Sequence, residues 1–193
     1  MASHSVGSEW PGGLLLPLAA TSVPAGLALF GVFLWTRRVC WAWTIAGALI
    51  LDVLCLAVKD VIREPRPSPE AAYVLPSEGP YGMPSEHAAF AVFVLVQFVL
   101  RMTQRSEYSL RFKVICSGAI AVWASAMIAS RLNTGAHSAA QLFAGGASGL
   151  MAGGAWFYLE VRLEGPLQKV QGFIDSSCMC FNVLYGDGKV HDD

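Results

Sequence analysis

Charge is what this sequence has least of. Only 14% of its 193 residues are Asp, Glu, Lys or Arg, while 54% are apolar; a soluble domain carries about 25% charged residues. Intrinsic disorder is excluded, because it requires low hydrophobicity together with high net charge. A net charge of -1 and the lack of any dense basic run exclude a nucleic-acid surface. Cysteine is sparse as well, five in all, and with no short secreted framework around them they do not form a disulfide scaffold. No Lys or Arg precedes the first apolar stretch, so the N-terminus is not expected to be a signal peptide. Neither an internal repeat nor an Asn-x-Ser/Thr acceptor is present. What remains is a chain suited to a bilayer.

The charges that do occur are bunched. None falls from Trp10 to Thr36, only Asp52 interrupts Val39 to Val58, and Ala88 to Leu100 and Val114 to Ser130 have none. After Arg131, His137 is the one titratable side chain before Tyr158 and Glu160. A helix needs roughly 20 mainly apolar residues to cross about 30 Å of hydrocarbon. The spacing predicts an all-α polytopic bundle of five transmembrane helices, at 14–36, 40–62, 84–103, 112–131 and 137–159, with a tail at 160–193, all in one domain. Arg37, Arg38, Arg101, Arg105, Arg111 and Lys113 share one side by parity, and Arg162, Lys169 and Lys189 join them in the tail. The excess of basic residues makes that side cytosolic. Lys59, Arg63, Arg66 and Arg131 are left on the opposite, outer or lumenal side. Trp35, Trp41 and Trp43 are expected in an interfacial belt. The small residues from Ala144 to Gly154 are expected to let helices approach closely. Cys178 and Cys180 are weak candidates for acylation or metal binding, with no partner residues beside them.

Three polar clusters gather on the lumenal side. KDVIREPRP spans residues 59–67, and its prolines end the second helix so that Arg66 lies on extended chain. YGMPSEH spans 81–87; Gly82 suits a turn and Pro84 a first helical turn, which puts Ser85 and His87 at a helix N-terminus. Backbone N–H groups there form a ready anion site. SRLNTGAHSAAQ spans 130–141, with His137 opening the fifth helix and Gln141 four residues on along one face. Parity brings together three or four cations, two histidines and a helix N-terminus, with no acidic set suited to a metal. Cations in that number call for a multiply charged oxyanion, most commonly phosphate. Two histidines supply a nucleophile and a proton shuttle. The residues point to phosphoryl transfer at a membrane surface.

The same fragments carry a resemblance. KDVIREPRP fits K-x6-R-P, PSEH resembles P-S-G-H, and SRLNTGAH fits the S-R-x5-H pattern of the type 2 phosphatidic acid phosphatase superfamily. YGMPSEHAAF, the preceding EPRP and Gln141 resemble more narrowly its dolichyl diphosphate-hydrolysing branch, over about residues 45–160. The resemblance implies His137 as a nucleophile forming a phosphohistidine, and His87 as acid in the first step and base in the second. It implies Lys59, Arg66, Arg131 and Ser85 as holders of the phosphoryl oxygens, with no metal or other cofactor. The substrate it implies is dolichyl diphosphate, cleaved at the lumenal face of the endoplasmic reticulum membrane to recycle the lipid carrier of N-glycosylation. The alternatives are another lipid phosphate (phosphatidate, sphingoid phosphate or undecaprenyl diphosphate) or a catalytically silent scaffold.

Two positions depart from the wider superfamily. Glu86 stands where glycine is usual, and is expected to point away or to pair with Arg63. Gln141 stands where an aspartate orients the nucleophilic histidine; its amide is expected to accept from the imidazole N–H and fix the tautomer. Arg63 is expected at the rim rather than on phosphate. Asp52, seven residues before Lys59, is expected to point into the bundle.

Overall fold

The computed structural model describes residues 22–68 and 79–185, with side chains for 24–68 and 79–177. Among these residues the chain is all helical, apart from a single antiparallel bridge between Pro65 and Tyr81. Six helices follow one another: α1 (Ser22–Thr36), α2 (Val39–Ile62), α3 (Glu86–Gln104), α4 (Leu110–Asn133), α5 (Ala139–Arg162) and α6 (Glu164–Tyr185). The first five fall where the uncharged stretches place them, with ends moved by at most three residues; residues 14–21 of the first expected helix lie outside the described residues. The sixth occupies much of the tail, to which the sequence assigned no conformation. By length and composition α3 and α4 are apolar enough to cross a membrane.

α3 is the centre of the bundle, packing against α1, α2, α4 and α5. Its small residues Ala88, Ala89 and Ala91 are fully buried, and Phe93 fills the core beside them. The opposing face of α5 carries Gly145, Gly149 and Gly153, where an added Cβ would strike the Ser85 carbonyl, the Ala89 carbonyl and Val96 in turn. The two backbones therefore approach more closely than any larger residue would allow. Gln97 crosses this seam and donates to the Gly153 carbonyl at 2.7 Å.

The end away from the histidines is locked by polar contacts. Arg101 forks onto the Glu160 carboxylate, with Nη2 to Oε2 at 2.6 Å, and also donates to the Thr44 hydroxyl. Trp43 and Trp156 stack with ring centroids 4.6 Å apart. Trp156 donates its indole N–H to the Trp43 carbonyl at 2.8 Å. Trp43 thus joins α2 to α5 rather than forming an outward belt, whereas Trp35 is 90% exposed. Gln171 of α6 reaches back to the α1–α2 turn, where its amide oxygen accepts from the Val39 N–H at 2.8 Å.

Candidate active site

At the other end three segments converge: the end of α2 with residues 63–66, the loop 79–85 leading into α3, and the turn 134–138 between α4 and α5. Lys59, Arg66, Ser85, His87, Arg131, His137 and Gln141 are all buried there. An interior with that many polar groups is stable only if each has partners. The hydrogen bonds of Lys59, Arg66, Ser85, His137 and Gln141 show how.

Ser85 is the N-cap of α3, its hydroxyl accepting from the Ala88 N–H at 3.4 Å. His87 therefore lies in the first turn of that helix, where the leading backbone N–H groups have no acceptor within the helix. Lys59, at the buried side of the last turn of α2, pairs with Glu86. The expected Glu86–Arg63 pair does not form, because Arg63 adopts the left-handed conformation (φ 54°) that ends α2 and turns outward onto the Asp60 carbonyl. Glu86 instead restrains the Lys59 ammonium at the mouth of the site. Arg63 is exposed, as expected for a rim charge.

Arg66 reaches across the site. Its Nε donates to the Gly79 carbonyl at 3.0 Å and its Nη1 to the Ala136 carbonyl at 2.9 Å. The same Nη1 lies 3.0 Å from His137 Nε2. His137 Nδ1 lies 3.0 Å from the Gly82 carbonyl, which can only accept, so Nδ1 carries the proton and Nε2 the lone pair. Only 2% of His137 is exposed. Burial first, then the charges of Arg66, Arg131 and Lys59 and the nearby His87, push its imidazole pKa from 6.5 down to about 2. The ring is neutral at any physiological pH. This arrangement presents a neutral, oriented nitrogen lone pair inside a ring of cations.

Two expectations about the third cluster are corrected. His137 does not open α5: Ser138 takes the N-cap in extended conformation, and its hydroxyl accepts from the Gln141 N–H at 3.2 Å. His137 precedes the cap, so the four-residue spacing to Gln141 does not place them on one helical face. Nor does Gln141 hold the imidazole. Its amide oxygen completes the capping box by accepting from the Ser138 N–H at 3.1 Å, and its NH2 donates to Glu64 and to the Pro65 carbonyl, both at 2.9 Å. The Gly82 carbonyl takes the role expected of Gln141. Sequence reasoning missed both Gly82 as an acceptor and Glu64 as a partner; EPRP and YGM were noticed as motifs, but a backbone carbonyl leaves no side-chain signal.

Asp52 is exposed rather than packed inside the bundle. It opens onto a cleft of about 250 Å³ between α1, α2 and α3 whose lining includes Glu86, His87 and Phe90. The cleft gives His87 room for a bound group. Among the described residues, no three His, Cys, Asp or Glu side chains gather as a metal ion would require.

The folded site also makes a prediction about acid. Below a pH of about 6.5 the unfolded chain binds a proton on His137 that the folded site refuses. The contribution of this residue to stability is therefore complete above pH 6.5 and is lost as pH falls. Thermal unfolding in detergent is expected to show a midpoint that drops between pH 7 and pH 5, with a shallower drop in His137→Asn, which does not titrate.

Residues 35–164 match the PAP2 superfamily. The chain is also similar to the dolichyldiphosphatase of Saccharomyces cerevisiae, at 27% identity over 130 residues, which cover 66% of this chain and 54% of that protein. It thus spans about half the length of that curated relative. No solved structure matches. With a matched region that runs from the end of α1 to the start of α6 and contains all three converging segments, the chain belongs to the PAP2 superfamily.

Proposed function

We propose that this protein is a metal-independent lipid diphosphatase that removes the terminal phosphate of dolichyl diphosphate through a phosphohistidine on His137. The observation that carries this reading is the pair of contacts on His137, Gly82 at Nδ1 and Arg66 at Nε2. In the first step Nε2 attacks the terminal phosphorus, the bond to the bridging oxygen breaks, and dolichyl phosphate leaves. Nδ1 keeps its proton and donates to Gly82 as positive charge develops on the ring. In the second step water attacks phosphorus, the P–N bond breaks with its electron pair returning to Nε2, inorganic phosphate leaves, and His87 takes the water proton and releases it to solvent. Lys59, Arg66, Arg131, Ser85 and the N–H groups at the start of α3 hold the phosphoryl oxygens. That is positioning with charge stabilisation, which phosphoryl transfer chiefly requires.

The place of action in this reading is the lumenal face of the endoplasmic reticulum, where the reaction recycles the carrier of N-glycosylation. It is supported by the basic residues at the opposite end of the bundle, including Arg37, Arg38, Arg105 and Lys113. A second reading has one observation in its favour. Asp52 and Glu86 put two carboxylates on the cleft beside His87, which favours a leaving group bearing an ammonium, as in a sphingoid phosphate. Competition on purified protein in EDTA separates the two. Dolichyl diphosphate is expected to be hydrolysed with the highest kcat/KM and to suppress turnover of sphingoid phosphate and phosphatidate; preference for the sphingoid substrate reverses the assignment.

A further inference from the structure

Neither group that meets the nitrogens of His137 comes from α4, α5 or the turn between them. Both are delivered by residues 64–66 and 79–82, which form a short two-strand clamp. Pro65 and Tyr81 bridge, and the Gly82 N–H donates to the Glu64 carbonyl at 2.8 Å. Gln141 fastens this clamp to α5. Its NH2 group has two protons, and they go to the Glu64 carboxylate and the Pro65 carbonyl. Its backbone carbonyl accepts from the Ser85 N–H at 3.1 Å, which adds the start of α3. Gly82 lies flush on the Gln141 amide, with no space between them for a Cβ. Gln141 is fully buried, while Glu64 is half-buried and Pro65 exposed, so these bonds are shielded from the Gln141 side.

We propose that Glu64 and Gln141 are a positioning pair: the Glu64 carboxylate anchors the Gln141 amide, and the amide holds the clamp that aims Arg66 and the Gly82 carbonyl at His137. The catalytic consequence rests on the phosphatase reading; the geometry does not. Glutamine is the residue this hub needs. An aspartate or glutamate at 141 would have no proton for the Pro65 carbonyl and would set a second negative charge against Glu64.

Three variants test the pair in detergent-solubilised protein: Glu64→Leu, Glu64→Gln and Glu64→Asp. Each is measured for turnover of dolichyl diphosphate, for binding of inorganic phosphate by calorimetry, and for thermal unfolding. A displacement of about 1 Å costs about 100-fold in rate, so Glu64→Leu is expected to lose about 100-fold in kcat and about tenfold in phosphate affinity. Glu64→Gln keeps an acceptor at the same reach and is expected to stay within about threefold of wild type. That rescue separates positioning from charge. Glu64→Asp keeps the charge but withdraws the oxygen by one methylene, and is expected to fall between; it decides the matter if Glu64→Leu does not fold. The proposal is overturned if Glu64→Leu or Glu64→Asp matches wild type in both kcat and phosphate affinity, or if Glu64→Gln loses as much as Glu64→Leu. A wild type inert towards dolichyl diphosphate sinks the substrate reading alone, since the phosphate affinities still rank the variants.

Discussion

His137→Ala is expected to release phosphate at least about 10⁴-fold more slowly than wild type, in the range found when the nucleophile of a covalent mechanism is removed. The loss falls on kcat. Arg66 keeps its bonds to the Gly79 and Ala136 carbonyls without the imidazole, so the proposed phosphate-binding cations stay in place and KM is expected to change little. No second nucleophile is expected to stand in, since His87, proposed above as the base, lies in the first turn of a different helix. Steady-state phosphate release in EDTA measures this directly. Residual activity within about tenfold of wild type would contradict a covalent step at His137.

His87→Ala is expected to slow hydrolysis of the proposed phosphoenzyme by about 10³-fold but its formation by only about tenfold, within the usual contribution of a general acid or base. The asymmetry comes from the leaving group. A phosphate monoester has a second pKa of about 6, so it departs as an anion without receiving a proton. Water, by contrast, becomes a competent nucleophile only as a base removes its proton. Rapid mixing of His87→Ala with dolichyl diphosphate is therefore expected to give a burst of dolichyl phosphate equal to the enzyme, followed by slow turnover. Equal losses in both steps would contradict this asymmetry and mean that His87 also protonates the departing group.

Much of the fold was visible in the charge map, because a bilayer tolerates few ions and the gaps between them mark helices. The same scarcity made the cations at 59, 66 and 131 stand out. The parts that the sequence did not disclose depend on contacts between distant residues or on backbone atoms. Gln141 meets Glu64 across 77 positions, and only the fold shows that its amide is engaged there and in the cap of α5. The expected four-residue face joining His137 to Gln141 failed because Ser138 is the better N-cap, which leaves His137 in the turn. Glu86 met Lys59 and not Arg63, since a left-handed residue at the end of α2 swings Arg63 to the surface. Trp43 looked interfacial by position, yet Trp156 lay across the bundle to stack on it.

Trapping the intermediate tests the central claim most directly. Wild-type protein is mixed with dolichyl diphosphate labelled on its terminal phosphate, quenched in alkali within one turnover, digested and sequenced by mass spectrometry. The label is expected on His137 Nε2, to be present without added metal, and to accumulate further in His87→Ala. A protein that turns over substrate but carries no label, or carries it on a residue other than His137, contradicts the account.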